Sequence, residues 1–205
     1  MGQLLAGLDH SIYLGGLNRA AVKQGDYWRA ITATLLHGGS IHILFNGMAL
    51  FYLGRPVEVL TGRFRFVLVL VVSMLTGAAL SLLTMPAGIT SVGASGGIIG
   101  LLGFLIVFGF RYRRTMPNDF TKNLIANVVF IACLGIALAS MIDNGAHLGG
   151  LLGGMLCGAI FLPWGGSGIP VPEGLVVKVL GGASIAYLVF AIGLTLLELS
   201  AAWKF

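Results

Sequence analysis

Four polar side chains stand at the starts of otherwise apolar stretches of this chain: His42, Asn46, Ser95 and His147. Together they suit acyl transfer. A serine hydroxyl is a weak nucleophile until a neutral histidine takes its proton during attack and returns it to the leaving amine. The oxyanion formed on the way needs donors already in place. His42 and Asn46 are four residues apart, so on a helix they share one face and present side-chain N–H groups together. The backbone N–H of Ser95, at a helix start, has no intrahelical acceptor and is a third donor. Asp143, four residues before His147, is either the orienting acid of a triad or a turn or capping residue in "DNGAH".

The elements that must position these groups are membrane helices. The chain has 205 residues, 57% hydrophobic and 9% charged, against about a quarter charged in soluble domains. Its surface must therefore face lipid. Six apolar runs approach the ~20 residues that span a hydrocarbon core of about 30 Å: 41–57, 66–85, 92–110, 124–142, 146–164 and 179–197. Short connections make neighbouring runs antiparallel. Residues 1–30 are mixed in character and cannot span; their Tyr27-Trp28-Arg29 cluster suits a membrane interface. The first ten residues lack the basic and apolar regions of a secretory signal.

Charge sets the orientation. The loops after the first span (Arg55, Arg63, Arg65) and the third (Arg111, Arg113, Arg114, Lys122) are basic, and those after the second and fourth have no Lys or Arg. The basic loops are therefore expected on the cytoplasmic side. Arg19, Lys23 and Arg29 of the N-terminal segment then lie outside, against the rule. The first, third and fifth spans run inward, and each polar group lies within two turns of its start, roughly 5–10 Å deep. Glycines 93, 96, 97, 100 and 103 on the third span and 149, 150, 153, 154 and 158 on the fifth permit close helix approach.

Each residue also has a plainer use. Ser95 could bond back to its i−4 carbonyl, the glycines could serve packing alone, and His42 and Asn46 could join helices. His37 reads as interfacial or structural and His10 as solvated. Cys133 and Cys157 read as small buried residues rather than a disulfide or metal pair. The plain readings do not require all the polar groups to share one depth. HExxH is absent, which excludes that class of zinc protease, and only Asp143 lies near a span, so an aspartyl intramembrane protease is excluded. A small transporter would have polar groups at the midplane and an inverted repeat, and neither is seen. The net charge of +5 forms no basic stripe with interleaved aromatics, so no nucleic-acid partner is expected.

The motifs resemble those of the rhomboid intramembrane serine proteases over about residues 25–160. "GASG" (93–96) is similar to the family's nucleophile motif, "GAHLGGLLGG" (145–154) to its histidine helix and "HILFN" (42–46) to its oxyanion element. "YWRAITATLLHGG" resembles its first outer loop, and "YLGRPVEVLTG" (52–62) the stretch after the oxyanion element. The resemblance implies an all-α polytopic helical bundle and a Ser95–His147 dyad with no third acid. It implies an oxyanion hole of His42, Asn46 and the Ser95 N–H, and no cofactor or metal. The substrates implied are single-pass transmembrane proteins in the lipid bilayer of a cell membrane, with the site opening to the extracytoplasmic side. Residues 1–165 would be the catalytic domain, with 1–40 its outer loop and re-entry segment. Residues 166–205 would be a connection and an additional C-terminal helix. Against the family pattern, the helix expected before the first outer loop is missing or the start is truncated, and Ile99 stands where many members have a tyrosine that stacks on the histidine. A relative that binds membrane clients without cleaving them is the alternative; such relatives usually lose the serine or the histidine, and both are present here.

Overall fold

The computed structural model describes residues 10–86, 88–164 and 169–202. Each predicted span falls on one helix: α1 (Ser40–Thr61), α2 (Arg63–Thr84), α3 (Ser95–Arg111), α4 (Phe120–Ala137), α5 (Asn144–Phe161) and α6 (Leu175–Ala202). Among the described residues α1, α2, α4 and α6 are long and apolar enough to cross a membrane. α5 misses that class because Asn144, His147 and its glycines dilute its hydropathy. α3, at 17 residues, is about 26 Å long, while a 22-residue helix such as α1 or α2 reaches about 33 Å. The short helix begins with Ser95, and the Ala146 carbonyl that abuts Gly96 also abuts Gly77, seven residues before α2 ends at Thr84.

Composition decides which helix is central. Between Ser95 and Arg111, α3 is apolar or glycine at every position, and residues from Gly96 to Gly109 are buried around nearly its whole circumference. A helix without a polar face belongs inside the bundle. α5 packs against α3 and α2, α1 lies against α3 and α2, and α6 packs on α2. α4 touches chiefly α3, and little of it is buried. Val57, Leu70, Leu101, Phe104, Phe108 and Cys157 are among the residues of the continuous core. Cys133 is exposed on the outside of α4, contrary to the buried reading, while Cys157 is buried.

The segment before α1 folds over the start of α3. It includes short helices at Arg19–Lys23 and Arg29–Thr32 and a two-residue strand, β1 (Leu17–Asn18). β1 pairs antiparallel with β2 (Thr90–Ser91), in the loop that leads to Ser95. Tyr27 is exposed, as an interfacial aromatic would be, but Arg29 turns inward. Its Nε meets Asp26 at 2.9 Å and its Nη1 donates to the carbonyls of Tyr13 and Gly16.

Two expectations about the basic loops are corrected. Arg55 lies within α1, Arg63 and Arg65 begin α2, and the connection is Gly62 alone. Arg65 is only 2% exposed. Its guanidinium donates to the carbonyls of Thr61, Val171 and Pro172, and its backbone N–H to Glu173. The buried charge thus ties the α1–α2 corner to the segment leading into α6, with hydrogen bonds to offset its desolvation. Arg111, the last residue of α3, likewise caps the end of α5 through Gly158, Ala159 and Leu162 and stacks on Trp164.

Candidate active site

Glycine brings the serine and histidine helices together. A Cβ on Gly150 would collide with the carbonyl of Gly96, and one on Gly154 with that of Gly100. From the other side, a Cβ on Gly100 would stand 2.8 Å from the Gly150 carbonyl. The four-residue spacing on both helices keeps this backbone contact in register over successive turns. α5 meets α2 in the same way: a Cβ on Gly77 would stand 2.8 Å from the carbonyl of Ala146, the residue before His147.

At the head of this seam the Nε2 of His147 lies 2.9 Å from the Oγ of Ser95. With that nitrogen unprotonated, the serine hydroxyl donates to it, the geometry a general base requires. The Nδ1 of His147 is buried and has no hydrogen-bond partner among the described residues. Asp143 does not meet the ring. It is the N-cap of α5, accepting from the Ala146 N–H at 2.9 Å and from the Ser81 hydroxyl on α2. Ile99 is buried in α3.

His42 and Asn46 reach the same place from α1. A Cβ on Gly93 would stand 2.9 Å from His42 Nε2 and 4.0 Å from Asn46 Nδ2, so both side chains flank the residue two before Ser95. Gly93 has φ +124°, a conformation open to glycine and closed to most residues. The His42 Nδ1 accepts from the Gly38 N–H at 3.2 Å. In the neutral ring the proton is then on Nε2, the nitrogen toward the site. Asn46, 8% exposed, donates to the His42 carbonyl at 3.0 Å, which uses one of its two N–H bonds. Ser95 opens α3, so its N–H lacks an intrahelical acceptor.

His37 stands beside this group, not in it. Its ring meets that of His42 edge-on at 5.1 Å, and its Nδ1 donates to the Leu35 carbonyl at 3.2 Å. Burial, and then His42, push its pKa below the ordinary histidine value, against an opposing pull from Leu35. His10 is exposed. Sequence reasoning brought Ser95, His147, His42 and Asn46 together but missed the groups that support them. Gly38, Ser81 and the β1–β2 pair carry no chemistry of their own; only Asn18, just before a short helical run, had a readable capping signal.

The model of the rhomboid domain matches residues 24–164. The chain is 36% identical over 149 residues to the rhomboid protease GluP of Bacillus subtilis, a match covering 72% of this chain and 29% of that protein. It is 34% identical over 150 residues to RHOMBOID-like protein 5 of Arabidopsis thaliana, covering 73% of this chain and 48% of that one. RHOMBOID-like protein 7 of the same plant is 32% identical over 162 residues, covering 77% and 51%. The chain thus spans less than a third of the first relative and about half of the other two.

Proposed function

The chain belongs to the rhomboid family, and from that premise we propose that it is an intramembrane serine endopeptidase with Ser95 as nucleophile and His147 as general base. The observation that carries the reading is the 2.9 Å approach of His147 Nε2 to Ser95 Oγ at the start of a buried helix. Ser95 Oγ attacks the carbonyl carbon of the scissile peptide bond as its proton passes to His147. The oxyanion is held by the Ser95 N–H, the free N–H of Asn46 and the Nε2–H of His42. The imidazolium then protonates the leaving amine, and the C–N bond breaks to give an acyl-enzyme. Water, deprotonated by the same histidine, releases the acid and restores the serine.

Substrates in this reading are single-pass transmembrane proteins, the class that membership of the rhomboid family implies. The site opens to the extracytoplasmic side, as the basic residues near the far ends of α1 and α3 favour.

The test is labelling by a fluorophosphonate probe in detergent, which requires an activated serine and no knowledge of the substrate. The native chain should label, and folded Ser95→Ala and His147→Ala proteins should not. Labelling retained in folded Ser95→Ala would remove the nucleophile assignment, and a folded native chain that fails to label would favour a non-cleaving relative.

A further inference from the structure

We propose that Asp143 is a positioning residue for His147, acting through the shape of its hydrogen bonds rather than as the charged third member of a triad. The proposal rests on the dyad reading above. In a triad the acid holds the second ring nitrogen of the base; here that nitrogen, Nδ1 of His147, is buried without a partner among the described residues. The carboxylate of Asp143 is engaged elsewhere, one oxygen with the Ala146 N–H and the other with the Ser81 hydroxyl. The carbonyl of Asp143 accepts the His147 N–H at 3.1 Å. One residue thus holds the N–H groups of Ala146 and His147 and ties the start of α5 to α2.

With no bond on Nδ1, the direction of the ring is inherited from the backbone that carries it. That backbone is wedged at Ala146, whose carbonyl would lie 2.8 Å from a Cβ on Gly77 of α2 and 3.0 Å from one on Gly96 of α3. Ser81 is fully buried, so its bond to Asp143 faces no competition from bulk water. Were the first turn of α5 to fray, His147 would swing away from Ser95. A misplacement of about 1 Å can cost on the order of a hundredfold in rate.

Geometry and charge give opposite forecasts for Asp143→Asn. The amide oxygen still caps Ala146, and the amide nitrogen can donate to the Ser81 oxygen, so the tether survives while the charge is lost. The experiment measures the fluorophosphonate labelling rate of the full chain in detergent, per folded molecule, with melting followed in parallel. Asp143→Ala should label at least about tenfold more slowly than native. Asp143→Asn should recover to within about threefold, since Asn and Asp cap equally well. Ser81→Ala, which keeps the cap and loses only the tether, should fall between them, and it carries the test if Asp143→Ala does not fold. Native labelling by folded Asp143→Ala, or by Ser81→Ala where the alanine variant at 143 fails to fold, overturns the proposal. So does an Asp143→Asn rate as low as that of Asp143→Ala, because charge would then be what acts. Failure of the folded native chain to label would instead remove the dyad reading on which the proposal rests.

Discussion

Along α3 and α5 the backbones of Gly96 and Gly100 lie against Gly150 and Gly154 with no side chain between them. Along the N-terminal half of α1, by contrast, Ile41, Ile43, Leu44 and Phe45 are all more than half exposed. In that half only Asn46 is buried; Gly54, Val57 and Thr61 are buried toward the opposite end. Ser95 and His147 are therefore fixed by continuous van der Waals contact between two backbones, the main cohesive force open to helices in lipid. His42 and Asn46 on α1 are held at their own end by few polar contacts: Gly38 on His42, Asn46 on the His42 carbonyl, and the edge of His37. Damage to the first region should appear as lost fold, and damage to the second as lost rate.

The largest effect should come from filling the seam. In Gly154→Val the new side chain meets the Gly100 carbonyl, a backbone atom that cannot withdraw unless α3 and α5 part. Overpacking of this kind costs about 1–3 kcal/mol or more, and labelling at Ser95 should vanish with the folded fraction. Gly47→Val on α1 meets nothing within 4 Å and should melt within about 0.5 kcal/mol of native. A Gly154→Val protein as stable as Gly47→Val would break the comparison.

Asn46→Ala probes the other region. If the amide serves the oxyanion, loss of one donor should slow turnover about a hundredfold or more, on the order of 3 kcal/mol. The same change removes the bond to the His42 carbonyl, worth about 1 kcal/mol of stability. Melting and cleavage rate per folded molecule separate the two. A destabilised protein with an unchanged specific rate would leave Asn46 as a joint between helices.

The meeting of Ser95 with His147 and the six long helices were legible because their signals are local. A serine among glycines, histidines at the starts of apolar runs and four-residue glycine spacing can each be read in a short window. The placement of Arg65 could not be read that way. A charge beside Gly62 looks like loop, and its burial depends on the carbonyls of Val171 and Pro172, more than a hundred residues away. The role of Asp143 was undecided for a similar reason, since its partner Ser81 lies 62 positions earlier on another helix. The pairing of β1 with β2 escaped entirely. Two residues a side are too few to show an alternating pattern, and tertiary contact alone brings Leu17 opposite Ser91.

That pairing yields the smallest and most pointed prediction. Asn18 works in two directions. Its Oδ1 accepts from the N–H groups of Ala20 and Ala21, capping the short helix Arg19–Lys23. Its Nδ2 lies 3.3 Å from both the Ile89 carbonyl and the Thr90 hydroxyl, on the loop that delivers Ser95. A second clamp follows, where the Gly93 N–H donates to the Ala33 carbonyl at 2.8 Å. If the N-terminal segment only covers the site, Asn18 matters as a cap alone, and Asn18→Ala costs about 1 kcal/mol of stability. If it also steadies the serine loop, the labelling rate per folded molecule falls as well, by a few-fold, as expected for a neutral hydrogen bond of about 1 kcal/mol. Asn18→Asp separates the two, because a carboxylate caps the helix as well as an amide but cannot donate to Ile89 or Thr90. Near-native melting with labelling slowed as far as in Asn18→Ala would place part of the serine's fixation in the N-terminal segment. Labelling at the native rate would return all of it to the glycine seam between α3 and α5.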